Sequence, residues 1–405
     1  MKILFVHNSF PAQFQPLARA LAGDSGVAMA AIGAPNARAM KGVRLIRYRM
    51  PESDVSGTHP FARRFDMECR RAEQVLYALS TLKTSGFSPD VILAHPGWGE
   101  TLPLRTVFPD ARILLYCEFF YGAEGRDMGF DPEFPEGGLD GGIALQLKNA
   151  TTLLALSDAD RGVSPTPWQR STFPRHFQRM IEVVHEGIDV GEVAPRREAG
   201  FALPDGRVLR PGDPVITFVA RNLEPLRGYH AFMRTLPSIL ERLPMAQVLI
   251  VGGHGTSYGV KPPNGRTWKA MFLDEVAGRI DLSRVHFTGR PHRVRHLSAL
   301  HVSAAHVYLT YPFVLSWSLI EAMGAGCAIV ASDTAPLHDV IDGSNGILVP
   351  FFDTEALADR VVDVVSKPRR HAEMRRRARE LVADRYDGAR VCVPQMRRLI
   401  EGMMC

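Results

Sequence analysis

Short apolar runs alternate with longer amphipathic stretches along almost the whole chain. Lys2 to Val6 is apolar and is ended by the polar triplet HNS and by Pro11, the pattern of a buried parallel strand, and a helix is expected over Phe14 to Ala22. VAMAAI at 27–32, VILAH at 91–95 and RILLYCE at 112–118 read as further strands, with a helix near Phe65 to Thr84. LLALSDA and GVSPT read as another strand and loop, and IEVVHEGID at 181–189 closes the series. The polar, proline-bearing stretch APRREAGFALPDGRVLRPGDP then reads as a linker.

A second series begins at Val215. It runs through VITFVA, a helix around Tyr229 to Leu243, AQVLIVGG, a segment from His254 to Arg279, RVHFTG, a helix around Arg295 to Ser303 and HVYLTY. LIEAMGAG follows as a helix, then AIVAS, GILVP and a helix over Thr354 to Val365. Such alternation marks βαβ units and a mostly parallel sheet. The expectation is an α/β protein of two doubly wound, Rossmann-like domains, 1–195 and 210–387, with a C-terminal helix at about 388–405 returning to the first. Ligands are expected in a central cleft at the carboxyl ends of the strands.

Composition narrows the function. The 405 residues are 46% hydrophobic and 22% charged, enough for two globular domains, and 48 Lys and Arg against 43 Asp and Glu leave a net charge of +5. That mild excess suits small anionic ligands rather than nucleic acid. Cys69, Cys117, Cys327, Cys392 and Cys405 are odd in number and lack CxxC spacing, so neither a disulfide framework nor a zinc site is indicated. The start MKILFVHNSF lacks signal-peptide character and no long uncharged apolar run occurs, so a cytoplasmic protein is expected, with room for peripheral contact at the inner face of the membrane. RRHAEMRRRARE at 369–380 reads as a solvated helix face. No HExxH, strand-end DxD or Walker loop is present, so neither metal nor cofactor is expected.

One carboxylate stands out. In YPFVLSWSLIEAMGAG, Glu321 lies early in a helix for which Ser316 or Ser318 would be the N-cap. A helix start beside a strand-end loop favours an anion, and a carboxylate one turn further in can accept hydrogen bonds from sugar hydroxyls. The pattern suits a nucleotide ribose with its diphosphate, and it suits equally an acid that stabilises its own helix.

The ordered series ARNLEPLRGYHAFM, VLIVGG, VHFTGR, YPFVLSWSLIEAMGAGCAIVASDTAPLHDVI and NGILVPFFDTEALADRV resembles the donor half of family 4 retaining glycosyltransferases of the GT-B fold. VVHEGIDV and VSPTPWQRSTF are similar to the end of their acceptor half, and HNSFPAQFQPLARALA resembles the "FPGQF" opening of one bacterial subgroup. The resemblance implies that Glu321 is the ribose-binding second glutamate of an E-x7-E motif. The first glutamate, beside the donor sugar, is replaced by Phe313. Arg221 and Arg227 take the places of an arginine and a lysine that clamp the diphosphate, and an arginine adds a planar fork for phosphate oxygens. Gly289 and Arg290 match the base-binding corner, Ser316, Trp317 and Ser318 stand where backbone amides surround the diphosphate, and Ala335, Pro336 and Asp339 replace a "GG-x-x-E" pattern.

In the first half, strand ends carry His95 in AHPGWGET and Glu118 in YCEFFYG, at positions implied to lie near the reacting carbon. The implied activity is a hexosyltransferase-like, retaining, metal-independent transfer from a nucleotide sugar to a saccharide, lipid-linked or small-molecule acceptor in bacterial glycan biosynthesis, with domain closure excluding water. The alternatives are a non-catalytic nucleotide-sugar binder, for which Phe313 argues, a GT-B epimerase, and a dinucleotide-dependent oxidoreductase, which GGHGTSYG raises and the following VKPPNG opposes, because it cannot open a helix.

Overall fold

The computed structural model describes residues 1–135 and 138–404, so Cys405 lies outside the described residues. The chain divides into two compact units. The first comprises Met1–Glu124, Gly137–Gly187 and Asp387–Cys405; the second comprises Gly125–Glu136 and Ile188–Tyr386.

The first unit is built on seven parallel strands, β1 (Lys2–Val6), β2 (Ala28–Gly33), β3 (Val43–Arg47), β4 (Val91–Ala94), β5 (Arg112–Tyr116), β6 (Arg161–Ser164) and β7 (Ile181–Val183). Their order is β3-β2-β1-β4-β5-β6-β7, so the winding reverses between β1 and β4, which pair directly from Ile3↔Val91 to Val6↔Ala94. The twofold period of a strand sends alternate side chains of β1 to opposite faces. Leu4 and Val6 pack with Val75, Leu79 and Leu82 of helix Arg63–Thr84. Ile3 and Phe5 pack with Phe14 and Leu17 and with Met396, Leu399 and Ile400 of helix Val393–Gly402. The last helix thus seals one face of this sheet.

The second unit carries a six-stranded parallel sheet of β10 (Val215–Asn222), β11 (Gln247–Gly253), β12 (Val285–Gly289), β13 (Ala305–Tyr308), β14 (Ile329–Ser332) and β15 (Ile347–Val349), ordered β12-β11-β10-β13-β14-β15. Its winding reverses between β10 and β13. Helix Trp317–Gly324 buries Leu319, Ile320, Ala322 and Met323 in the core that Leu249, Ile329 and Ala331 line.

Two expectations are corrected. LLALSD is not a strand but part of helix Ala150–Asp158: Thr151, Thr152, Ala155 and Leu156 are buried while Leu153 and Leu154 are exposed, which is helical spacing. The expected linker is not plain linker either, since β8 (Phe201–Ala202) and β9 (Val208–Leu209) pair within it, and Phe201, Leu203 and Leu209 bury into the second unit. The change of unit comes earlier, after Gly187, whose φ of +82° only glycine adopts freely.

The segment from Gly125 to Pro135, which carries no periodicity, belongs to the second unit through its side chains. Phe130 sits against Tyr311, Phe351 and Phe352, Phe134 lies edge-on to His230 and Trp268, and buried Asp131 accepts a 2.7 Å hydrogen bond from Tyr311 Oη. Glu133 accepts two hydrogen bonds from Arg234, at 2.6 and 2.7 Å.

Gly228 opens helix Tyr229–Arg242 at φ +68°, and a Cβ there would come 2.2 Å from Leu309 Cβ. Gly206 has φ +89° with nothing within 4 Å. Both alanine variants meet the left-handed penalty of about 1–2 kcal/mol, and Gly228→Ala adds an overpacking cost of about 1–3 kcal/mol. Gly228→Ala should therefore melt well below Gly206→Ala in calorimetry; equal midpoints would remove the steric part of the argument.

Candidate functional site

In the first unit, His7 directly follows β1, His95 directly follows β4, and Glu118 lies two residues beyond β5. The reversal of winding between β1 and β4 makes their loops diverge, which is where doubly wound sheets bind ligands. His95 Nδ1 accepts the Gly97 N–H at 3.0 Å, so the proton of the neutral ring is on Nε2, 3.3 Å from Glu118 Oε2. Gln13 donates to Glu118 Oε1 at 2.8 Å, and Gln169 donates to the Glu118 carbonyl at 2.8 Å. Burial alone would raise the Glu118 carboxyl, but the hydrogen bond from His95, with that from the Gln13 amide, holds it below the usual carboxylate range. The pair is an ionised acid aligned by an imidazole N–H.

The loop that carries His95 is rigidly placed. Its ring stacks on Trp98 at 4.6 Å, Arg64 donates to the Gly97 carbonyl at 3.2 Å, and Arg71 donates to the Trp98 carbonyl at 2.9 Å. Gly99, at φ +93°, lies so close to Glu68 that a Cβ would stand 2.4 Å from its carbonyl oxygen. Sequence reasoning brought out His95 and Glu118 but not His7 or Gln13. The signal for His7 was available in its position, a histidine directly after the first strand.

In the second unit the candidate residues gather around β10 and β13. Arg221 lies inside β10 rather than in the loop after it, and its side chain is exposed. Arg227 is buried: Nη1 donates to the Val314 carbonyl at 2.9 Å and Thr310 Oγ1 at 3.1 Å, so its charge is fixed at the root of the loop leading into helix Trp317–Gly324. The Ser316 N–H donates to Tyr308 Oη at 2.9 Å, so one of the three expected anion-binding amides is already engaged, and Ser316 Oγ faces Ser318 Oγ at 2.5 Å rather than capping the helix. Trp317 is 39% exposed. Phe313 is buried against Tyr258, ring centroids 4.8 Å apart, with the Arg227 guanidinium 5.5 Å from its ring centroid. Gly289 ends β12 at φ +64°, and Arg290 braces β10 by donating to Asn222 Oδ1 at 2.6 Å and to the Arg221 carbonyl at 3.1 Å.

Glu321 is buried in the second turn of its helix and already has partners. His296 Nε2 lies 2.9 Å from Oε2, and Arg293 pairs with Oε1 while also bonding Glu192 at 2.7 Å. Burial would raise its carboxyl, yet His296 and Arg293 together hold it below the ordinary carboxylate value. His296 stands in a segment read only as a helix, and Arg293 opens that helix two residues before its expected start. Glu224 is a further residue that the sequence did not single out: fully buried, it accepts the N–H groups of Ser257 at 3.0 Å and Tyr258 at 3.1 Å and so ties the glycine-rich loop after β11 to the arginine segment. Burial pushes its carboxyl above the usual range in spite of those amides.

Among the described residues, Asp131, Glu133 and His230 place potential ligand atoms within 4.8 Å of one another. Tyr311 and the Glu133 N–H already bond Asp131, and Arg234 grips Glu133, so the group is arranged as an ion-pair network.

Two Rossmann-like units with candidate sites at their strand ends define the GT-B fold, and solved structures share it. Sucrose-phosphate synthase from Thermosynechococcus elongatus superimposes with a TM-score of 0.75 at 18% identity over 100% of this chain and 99% of that one. The HepE protein of Anabaena, solved with UDP and glucose, gives 0.64 at 13% identity over 99% and 100%. Residues 25–193 match the glycosyl transferase family 4 group and residues 213–367 match glycosyl transferases group 1, so the chain belongs to this glycosyltransferase family. A D-inositol 3-phosphate glycosyltransferase of Mycobacteroides abscessus is 32% identical over 188 residues, 46% of this chain and 39% of that protein. A phosphatidyl-myo-inositol mannosyltransferase of Mycolicibacterium smegmatis is 31% identical over 187 residues, 45% and 44%. The chain thus spans less than half the length of these two relatives.

Glu321→Gln keeps the shape of the side chain and loses its charge. The parent should be more stable than this variant by about 1–2 kcal/mol at pH 7, a hydrogen-bonded charge discounted for the exposure of Arg293. Because the folded-state carboxyl lies below 4.5, the difference should be complete above that value and fade as pH falls through the lower folded one. Urea unfolding at pH 7 and pH 3.5 tests this; a difference independent of pH would contradict it.

Proposed function

We propose that this protein is a retaining, metal-independent glycosyltransferase that moves a sugar from a nucleoside diphosphate sugar to an acceptor hydroxyl in bacterial glycan or glycoconjugate synthesis. The single observation that carries the reading is the fixed guanidinium of Arg227, held by Val314 and Thr310 beside the start of the Glu321 helix. Two cations and a helix start then share one anion. In this proposal the diphosphate lies among Arg221, Arg227 and the amides that open the helix, where the dipole adds to the cations. Negative charge developing on the leaving phosphate is stabilised there as the glycosidic bond to the anomeric carbon breaks. Glu321 accepts a ribose hydroxyl with lone pairs left over from Arg293 and His296, since a carboxylate has about four acceptor positions.

The first unit takes the acceptor. Glu118, ionised and aligned by His95, orients the attacking hydroxyl and can receive its proton. Phe313 supplies an apolar wall instead of an acid, so the donor sugar's hydroxyls find their partners elsewhere. The curated relatives act on inositol phosphates and phosphatidyl-inositol by name, which supports a polyol, saccharide or lipid-linked acceptor. In this proposal the protein acts in the cytoplasm, at the inner membrane face where the acceptor is lipid-linked; no helix among the described residues is long and apolar enough to cross a membrane.

A thermal-shift screen of UDP, GDP and ADP identifies the nucleotide, since a ligand at a hundred times its Kd adds about 2.7 kcal/mol. Arg221→Ala should weaken that nucleotide by about 1.5–3 kcal/mol, roughly ten- to a hundredfold, without altering the melting point of the free protein. Calorimetry showing unchanged affinity would remove Arg221 from the site. Transfer, followed by mass spectrometry of the glycosylated product, should be undiminished in excess chelator; a loss restored by magnesium or manganese would overturn the metal-independent mechanism.

A further inference from the structure

The Glu321 carboxylate is held by residues outside its own helix. Its two partners, Arg293 and His296, come from helix Arg293–His301. Residues three and four apart share a helix face, so Arg293 and His296 stand on the same side as Leu297 and Leu300. Leu297 and Leu300 bury in the same core as Leu319, Ile320 and Met323, which sets the two helices against each other and brings the donors to Glu321. The terminal torsion of a glutamate is broad and twofold, so its own backbone does not fix the plane of the carboxylate. Partners must do so.

The two partners are unequal. His296 Nε2 lies 2.9 Å from Glu321 Oε2, and an ionised carboxylate only accepts, so Nε2 carries the proton of this contact. The His296 side chain is 16% exposed, which leaves water little access to the bond. Arg293 bonds Oε1, but its side chain is 40% exposed and is shared with Glu192, whose Oε2 accepts from Nε at 3.1 Å and from Nη2 at 2.7 Å. An exposed ion pair is screened and contributes little, whereas a sheltered hydrogen bond to a charged group is strong. With one partner on each oxygen, the carboxylate keeps further acceptor positions.

Resting on the reading of Glu321 as the ribose acceptor, we propose that His296 is a positioning residue for nucleotide recognition. It holds the carboxylate plane so that the remaining acceptor positions meet the ribose hydroxyls, and the preference for ribose over a sugar without those hydroxyls depends on it. His296 acts through Glu321. Arg293 is the lesser determinant, because solvent screens it and Glu192 shares it.

Calorimetric titration of the full chain with UDP, GDP and ADP, each beside its 2′,3′-dideoxy form, tests this. The nucleotide that binds should bind the parent about tenfold more tightly than its dideoxy form does. His296→Leu, and His296→Asn, whose amide is too short to reach Glu321, should reduce that ratio to about twofold or less, with the Kd of the dideoxy form unchanged. His296→Gln, whose amide can return an N–H to the place of Nε2, should restore most of the ratio, and Arg293→Gln should lower it less than His296→Leu does. Comparison of His296→Asn with His296→Gln carries the test where His296→Leu does not fold. The parent's ratio in folded His296→Leu or His296→Asn, an equal loss for both nucleotide forms, no recovery in His296→Gln, or a larger loss in Arg293→Gln would overturn the proposal. A parent that binds both forms alike would instead overturn the ribose reading of Glu321, and a parent that binds no nucleotide would overturn the glycosyltransferase reading itself.

Discussion

In a parallel sheet every strand points the same way, so all carboxyl-terminal loops collect on one edge, and where the winding reverses two adjacent loops part. The candidate chemistry of both units depends on that constraint. Between β1 and β4 it brings His7 and His95 to the same place, with Glu118 from the next strand over. Between β10 and β13 it brings the arginine segment beside the loop that enters the Glu321 helix. Neither arrangement needs long insertions, because each side chain sits within a few residues of a strand whose register the core fixes.

What holds the charged groups in place is compensation within the protein. Arg227 is buried and its Nη1 is engaged by a carbonyl and hydroxyls, so it keeps its charge while losing freedom to move. Glu321 is held by Arg293 and His296, Glu118 by His95 and Gln13, and Glu224 by two amides. A buried charge with such partners is prearranged, and prearranged dipoles need little reorganisation when charge develops during a reaction. Glu224 retains one buried oxygen without a partner, and its carboxyl is raised accordingly.

The two corrected elements show where local pattern misleads. LLALSDA is short and apolar, and such a run does not distinguish a strand from a helix; only its burial at helical spacing does. The stretch 194–214 is polar and rich in turn residues, yet Phe201, Leu203 and Leu209 find a core to enter because two short strands pair there. Similarly, the segment from Gly125 to Pro135 carries aromatic and acidic residues without periodicity, and its place in the second unit follows from partners such as Tyr311, 180 positions away.

By itself the sequence determined the two series of strands and helices, since continuous apolar runs must be buried on both faces and their spacing leaves room for a crossover helix. It also placed Glu321 early in a helix, and the resemblance to retaining glycosyltransferases singled out His95, Glu118, Arg221 and Arg227. Tertiary structure alone decided what those residues touch. Gln13 meets Glu118 across 105 positions, Arg293 and His296 meet Glu321 across 28 and 25, and Arg290 turns back to brace β10 across 68. Periodicity records only which face of its own element a side chain occupies. Contacts between elements follow from strand order and from how the loops part at the reversals, which no local pattern encodes.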